Sequence, residues 1–376
     1  MSRLFRWFST LFLILLLMFG LGVLVAYLYN SSKVSAWKKN PQKPGVMVKL
    51  TNYKVYTKVK GQGGLTAIVF PALGSTSFEW SPIQDALAKK MRVVVYDRGG
   101  YGWSQAGKPP RTSKRIVDEA NMLLRKLRIP PPYLVVGHSI GAFYAQHFAR
   151  LRPKSVVGVV MIDPVSDHNK WKSKMPTKLF KRFVDKSLFI KRGRTLAKFG
   201  LFRVLTVLPK TLSKEQQRHI VEVYSNPASY KVFLDEYLSL FNISFNRYHK
   251  MPAFPKVPLT VMYHDSEMAV QRMKKFKTEP DQAQRLETVG IQLAREYLKL
   301  SPKSRWVIAQ NSHHQIHLDR PELVIQEVLR VAKLAMTGAP AAKTKTKVGT
   351  QVRPKKAATT KPSGRKTTSR PAPVRK

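Results

Sequence analysis

The chain has 376 residues, 67 Lys and Arg against 21 Asp and Glu, a formal net charge of +46 and no cysteine. Without thiols it can form no disulfide, no thiolate metal site and no cysteine nucleophile. Its length allows one large or two ordinary domains, and the central part is apolar enough to bury a full core.

In chain order, Thr10 to Tyr29 carries no charge and is almost entirely Leu, Ile, Val, Phe and Met, the ~20 residues a helix needs to cross a bilayer. We expect an uncleaved transmembrane anchor over 10–29. The competing reading is a signal peptide cut near Val34-Ser35-Ala36, although the apolar stretch exceeds the ~7–15 residues usual there. Arg3 and Arg6 precede the span and Lys33, Lys38, Lys39 and Lys43 follow it, so the positive-inside count does not set orientation. A short basic head before a long folded domain is the usual form of a signal anchor, which places the folded domain outside the cytoplasm. A linker, 30–45, follows.

Val46 to Leu50 and Lys54 to Lys60 read as strands, and a glycine-rich turn leads into a third strand, Ala67 to Phe70. After a loop, Pro71 to Trp80, the run Ser81-Pro82-Ile83-Gln84 has the N-cap, first-turn proline and reciprocal glutamine of a helix start, predicting a helix over Pro82 to Lys90. Arg92 to Tyr96 is a buried strand, Ser113 to Arg128 an amphipathic helix and Tyr133 to Val136 another strand. A helix over Ala142 to Arg150 and a strand over Val156 to Ile162 follow. This alternation argues for a mostly parallel sheet flanked by helices, the first part of an α/β core over 46–163.

The stretch from 164 to 251 breaks that rhythm. It has several helical segments and no strong strand, and it reads as an inserted helical cap whose aromatic residues are mainly packing. The core resumes over 252–336, with strands at Leu259 to His264 and Arg305 to Ala309, helix through most of Glu279 to Leu300 and a final helix over Arg320 to Leu334. From 337 to 376 the chain is Lys, Arg, Pro, Ala, Ser and Thr with no acidic or aromatic residue, and is expected to be a disordered tail. Such a polycation attracts anionic lipid, acidic wall polymers or nucleic acid. Without aromatic interleaving or zinc-ligand spacing it does not point to specific nucleic-acid recognition.

Gly137-His138-Ser139-Ile140-Gly141, directly after the Tyr133 to Val136 strand and before a helix, has the form of a serine nucleophile on a sharp strand-to-helix turn. Glycine two positions either side gives the clearance such a bend requires. A serine nucleophile needs a base that titrates near neutrality, and imidazole is the side chain that does so untuned. His314 follows the last core strand on a loop, where it can stand beside the turn. His313 and His317 are expected to point elsewhere, and the three histidines lack a carboxylate or cysteine spaced to complete a metal site.

Three segments together resemble the α/β-hydrolase superfamily, from about Val46 to Ala335: the turn just described, the loop Asp97-Arg98-Gly99-Gly100-Tyr101-Gly102-Trp103-Ser104, and Asn311-Ser312-His313-His314-Gln315-Ile316-His317-Leu318-Asp319-Arg320-Pro321-Glu322. The last is similar to the superfamily's terminal S-G-H-x-I-x-L-D-x-P-E loop, whose histidine aligns with His314. The likeness is greatest to bacterial esterase-like serine hydrolases, and it implies an α/β-hydrolase fold. It also implies a chain order of serine, acid, histidine, which Asp163, Glu267 and Asp265 all satisfy. Asp163 ranks first, because His264 stands where the glycine before the late acid is usual. Oxyanion donors are implied at the backbone N–H groups of Ile140 and Leu73. Asp97 and Arg98 are expected to order the loop near the site. The implied activity is hydrolysis of a small-molecule acyl compound, a carboxylic ester foremost, with peptidase, thioesterase and acyltransferase chemistry sharing the same machinery. No cofactor or metal is implied. In related haloalkane dehalogenases and epoxide hydrolases the turn carries aspartate, so Ser139 disfavours those activities. The rival from another class is a non-catalytic, membrane-tethered interaction protein with a polyanion-binding tail.

Overall fold

In a computed structural model, the described residues are 3–41, 44–165, 168–181, 187–206, 208, 212–242 and 251–338. The expected tail therefore lies outside the described residues from 339 onward. Strands β1 (Val46–Lys49), β2 (Lys54–Lys60), β3 (Thr66–Phe70), β4 (Arg92–Tyr96), β5 (Tyr133–His138), β6 (Val156–Ile162), β7 (Leu259–Tyr263) and β8 (Ser304–Ile308) form one sheet in the order β1-β2-β4-β3-β5-β6-β7-β8. β2 runs antiparallel to β1 and β4, and every pairing from β4 through β8 is parallel.

Side chains alternate across the pleat, so each strand feeds two cores. Ile68, Phe70, Val94, Val135, Val159, Met161 and Val261 pack beneath helices α3 (Ser113–Lys126) and α4 (Ile140–Leu151). On the opposite face Ala67, Val69, Val93, Leu134, Val136, Val160 and Met262 meet α2 (Ser81–Ala88) and α13 (Pro321–Thr337). Burial on both faces accounts for the near-continuous apolar runs of the central strands.

The start of α2 corrects the capping reading. Trp80 is its N-cap, without a side-chain cap bond. The Ser81 hydroxyl instead accepts from Lys58 Nζ at 2.6 Å, and the Gln84 amide donates to the carbonyls of Lys58 and Val93 at 2.9 and 3.1 Å. Both residues tie the helix to the sheet rather than closing its own first turn. The region read as Glu279 to Leu300 is α12 (Pro280–Arg295) followed by a 3-10 turn, Glu296–Leu300, and a further helix, α11 (Ser266–Lys275), precedes it. With Val270 its one buried residue, α11 offers little apolar spacing to read.

Between β6 and β7 the described residues form helices alone: α5 (His168–Lys174), α6 (Thr177–Leu179), α7 (Ser187–Lys198), α8 (Phe202–Leu205), α9 (Lys214–Tyr224) and α10 (Pro227–Asn242). Helix α1 runs unbroken over Arg3–Lys39, so the expected linker is helical through its first ten residues. Its apolar part is long enough to cross a membrane and is exposed. The later part is docked: Asn30 is buried, with its amide donating to the Ala197 and Ser225 carbonyls at 2.7 and 3.0 Å. Lys38 donates to the Gly102 and Ser104 carbonyls at 2.5 and 2.9 Å.

Candidate active site

β5 continues two residues past its apolar run and delivers Ser139 to the top of the sheet, at φ 56 and ψ −120. A non-glycine residue in that region is strained and persists only where its surroundings fix it. Both glycines of the turn are part of that fixing. A Cβ on Gly141 would collide with the Phe70 carbonyl, and one on Gly137 with the Gly141 carbonyl. The Ser139 N–H donates to the Ile162 carbonyl at 2.9 Å, coupling the turn to the end of β6.

At that end lies Asp163, also at positive φ, 43. Its Oδ2 accepts from His314 Nδ1 at 2.6 Å, and His314 Nε2 lies 3.1 Å from Ser139 Oγ. The structure thus brings Ser139, His314 and Asp163 into one chain of hydrogen bonds. Ser139 and Asp163 are buried, whereas the His314 side chain is 49% exposed and can be reached by a substrate.

Asp163 serves a second imidazole, His264, which the sequence marked only as standing in place of a glycine. His264 Nδ1 donates to its two oxygens at 2.9 and 2.8 Å, and His264 Nε2 lies 3.3 Å from Glu287 Oε2. Burial opposes a charge on His264, but hydrogen bonds to Asp163 and Glu287, together with their charges, outweigh it and raise its pKa from 6.5 to about 10. Burial likewise opposes ionisation of Asp163, and the hydrogen bonds and charges of the two imidazoles outweigh it, holding its carboxyl well below the usual range. At neutral pH His264 is therefore held as a cation beside the ionised Asp163.

Because the folded pKa of His264 lies above its ordinary 6.5, the stability it contributes is complete below that pH and is lost as pH rises through about 10. The melting temperature of the unmodified protein should exceed that of His264→Gln at neutral pH, and the gap should close as pH approaches 10. A gap independent of pH in thermal scans would mean His264 is neutral in the folded protein.

The two other candidate acids lie apart from His314. Asp265 caps α11, accepting from the Glu267 and Met268 N–H groups at 3.0 and 3.3 Å, and also accepts from the Asn311 N–H at 3.0 Å. Glu267 is exposed on the first turn of that helix. His313 is held through its backbone N–H by Asp319 at 2.8 Å. His317 is buried, stacked on Trp80 with ring centroids 4.8 Å apart. His138 is also buried. Desolvation, then the neighbouring His317 and His314, push its pKa well below 6.5, so it is neutral and its Nε2–H donates to the His314 carbonyl at 2.8 Å. That bond fixes the backbone of the loop carrying His314 from the residue next to Ser139.

Leu73 lies in the loop after β3, and neither its N–H nor that of Ile140 has a hydrogen-bonding partner among the described residues. The loop is held from below by Arg98, whose Nη1 donates to the Pro71 carbonyl at 2.7 Å and Nη2 to the Ala72 carbonyl at 3.0 Å. In a trans peptide the N–H points opposite the carbonyl, so fixing the Ala72 oxygen also aims the Leu73 N–H. This arginine supports the loop that carries Leu73. Glu236 of α10 accepts from Arg98 Nη2 at 2.9 Å and from the Tyr101 hydroxyl at 2.8 Å, joining the cap helices to the loop.

Comparison with known proteins agrees with this architecture. A family model described as alpha/beta hydrolase fold matches residues 68–242, which include Ser139 and Asp163. The Bacillus subtilis protein YqjL is 25% identical over 266 residues, covering 70% of this chain and 82% of its own length. A Gibberella zeae protein described as an AB hydrolase superfamily protein is 29% identical over 288 residues, covering 71% of this chain and 86% of its own. Among solved structures, the epoxide hydrolase CorEH superposes with a TM-score of 0.60 over 77% of this chain and 99% of its own, at 18% identity, a likeness of fold. An eight-stranded, mostly parallel sheet with helices on both faces, a strained serine at the β5–α4 turn and a matching family model together give this chain the α/β-hydrolase fold and support its place in that superfamily.

Proposed function

We propose that this protein is a membrane-anchored serine hydrolase that cleaves an acyl substrate, a carboxylic ester foremost, with its folded domain outside the cytoplasm. The observation that carries the reading is the unbroken chain Ser139 Oγ, His314 Nε2, His314 Nδ1, Asp163 Oδ2 at 3.1 and 2.6 Å, with Ser139 in a strained backbone. His314 takes the Ser139 proton as Oγ attacks the acyl carbon, and the carbonyl electrons move to the oxygen facing the Ile140 and Leu73 N–H groups. Collapse of that intermediate breaks the bond to the leaving alcohol, which takes its proton from His314. Water then attacks the acyl-enzyme with His314 again as base, releasing the acid and restoring Ser139. Asp163 keeps the Nδ1 proton of His314 in place and stabilises the imidazolium. Helix α1 supplies the anchor through its exposed apolar stretch. A serine at the turn supports ester over epoxide cleavage, despite the fold shared with CorEH.

A fluorophosphonate probe tests this reading on the full chain in detergent. Labelling is expected, with loss in Ser139→Ala and in His314→Ala. A folded, unmodified protein that resists the probe would overturn the hydrolase reading and leave an interaction protein in its place.

A further inference from the structure

We infer that the α7–α8 corner of the cap is an interfacial face that seats on the anionic bilayer entered by α1; this rests on reading α1 as a membrane span. The argument starts from where α1 leaves the folded body. Asn30 is the last fully buried residue on the way out, clasped by the Ala197 carbonyl at the end of α7 and by Arg203 Nε of α8 at 2.9 Å. Gly200, between those helices at φ 68, packs directly against the Asn30 side chain. Ala26 and Val23, on the same face one and two turns earlier, are half-buried. At 1.5 Å per residue they lie about 5 to 9 Å inside the Tyr29 end of the apolar stretch. The body therefore clasps α1 one residue beyond the Tyr29 end of its apolar stretch, at the level where a membrane surface would lie.

Around that exit the cap exposes apolar side chains that a water-facing surface has no use for. Val204 and Leu205 of α8 are 83% and 62% exposed, and Phe189 of α7 is 70% exposed, with Leu188 and Leu196 on the same side of the helix. α7 buries Ile190, Gly193 and Ala197 along another face, where Gly193 packs on Tyr230 of α10. It also carries Lys191, Arg192, Arg194 and Lys198 and no acidic residue. Three of these cations, Lys191, Arg194 and Lys198, join Lys231 around a hollow of about 210 Å³ floored by Tyr230 and Leu234. One helix thus presents exposed apolar side chains and a basic edge over a headgroup-sized hollow. An amphipathic helix of this kind lies in the interface with its apolar face ~5–10 Å deep. Its cations match the negative surface of an anionic leaflet.

The absence of native cysteine allows one label per variant. The full chain is reconstituted into phosphatidylcholine vesicles with and without phosphatidylglycerol, bearing an environment-sensitive fluorophore at Phe189→Cys, Val204→Cys, Leu16→Cys or Arg125→Cys. Doxyl-labelled lipid is the quencher. Quenching is expected at 16, 189 and 204 and absent at 125. In phosphatidylglycerol vesicles, changing Lys191, Arg194, Lys198 and Lys231 to glutamate should weaken the seating of the 189 and 204 labels by about fivefold per cation removed. Quenching at 16 with none at 189 or 204 would overturn the interfacial face and leave the anchor standing. No quenching at 16 would overturn the anchor and the face with it. Equal quenching in both lipids, unaffected by the glutamates, would remove the anionic lipid as partner.

Discussion

Alanine in place of His314 is expected to lower kcat for a soluble ester by about 10⁶-fold, and asparagine in place of Asp163 by about 10⁴-fold. The two losses should not add, because both variants remove the same proton path. A double variant should be no slower than His314→Ala. The smaller effect at Asp163 follows from its role, which is to hold the tautomer that leaves Nε2 free to accept from Ser139 Oγ. An asparagine amide offers N–H where His314 Nδ1 now donates at 2.6 Å, and so favours the opposite tautomer. His264 sharpens the case. Its cation lies 2.8 Å from the same Oδ2, so the substitution also leaves it with Glu287 alone. Initial rates with a p-nitrophenyl ester, run beside a thermal scan to establish folding, measure both effects. Full turnover in Asp163→Asn together with a large loss in Glu267→Gln would move the acid to the late position.

Much of this site was legible in the chain because its parts are local. A strand, two glycines and a helix around Ser139 announce a turn whose geometry is set within five residues, and the final loop around His314 has its own pattern. The sheet was legible for a similar reason: buried parallel strands are short apolar runs between helical spacings. What escaped depends on contacts between distant positions. His264 and Glu287 are 23 residues apart on different elements, and neither sits in a pattern of its own. Glu236 meets Arg98 across 138 residues, and nothing in the cap's composition marks that one glutamate among its neighbours. The Ser81 and Gln84 pattern failed for a related reason. A local capping bond competes with tertiary partners, and on strands β2 and β4 Lys58 and the Val93 carbonyl took both side chains.

Replacing Glu236 by alanine is expected to cost about 3–5 kcal/mol of stability, the usual loss when one member of a buried ion pair is removed. Its side chain and that of Arg98 are fully buried at 2.9 Å, and Arg111 Nε lies 3.7 Å from the other oxygen. The variant would strand the Arg98 cation in the core with carbonyl partners alone, and would take from Arg111 its second carboxylate. The consequence should reach the site, because Arg98 also holds the carbonyls of Pro71 and Ala72. Arg98→Lys separates the two effects. Lysine keeps the charge near Glu236, but as a single ammonium it cannot hold the carboxylate and both carbonyls in the fork geometry of a guanidinium. Without the bond to its oxygen the Ala72–Leu73 peptide is free to rotate, and the Leu73 N–H loses its aim at the developing oxyanion. The expected result, measured well below the variant's melting temperature, is a fall of about 10²–10³-fold in kcat with KM little changed. Unchanged kcat in folded Arg98→Lys would show that Arg98 supports the cap alone and that the oxyanion is stabilised without the Leu73 amide.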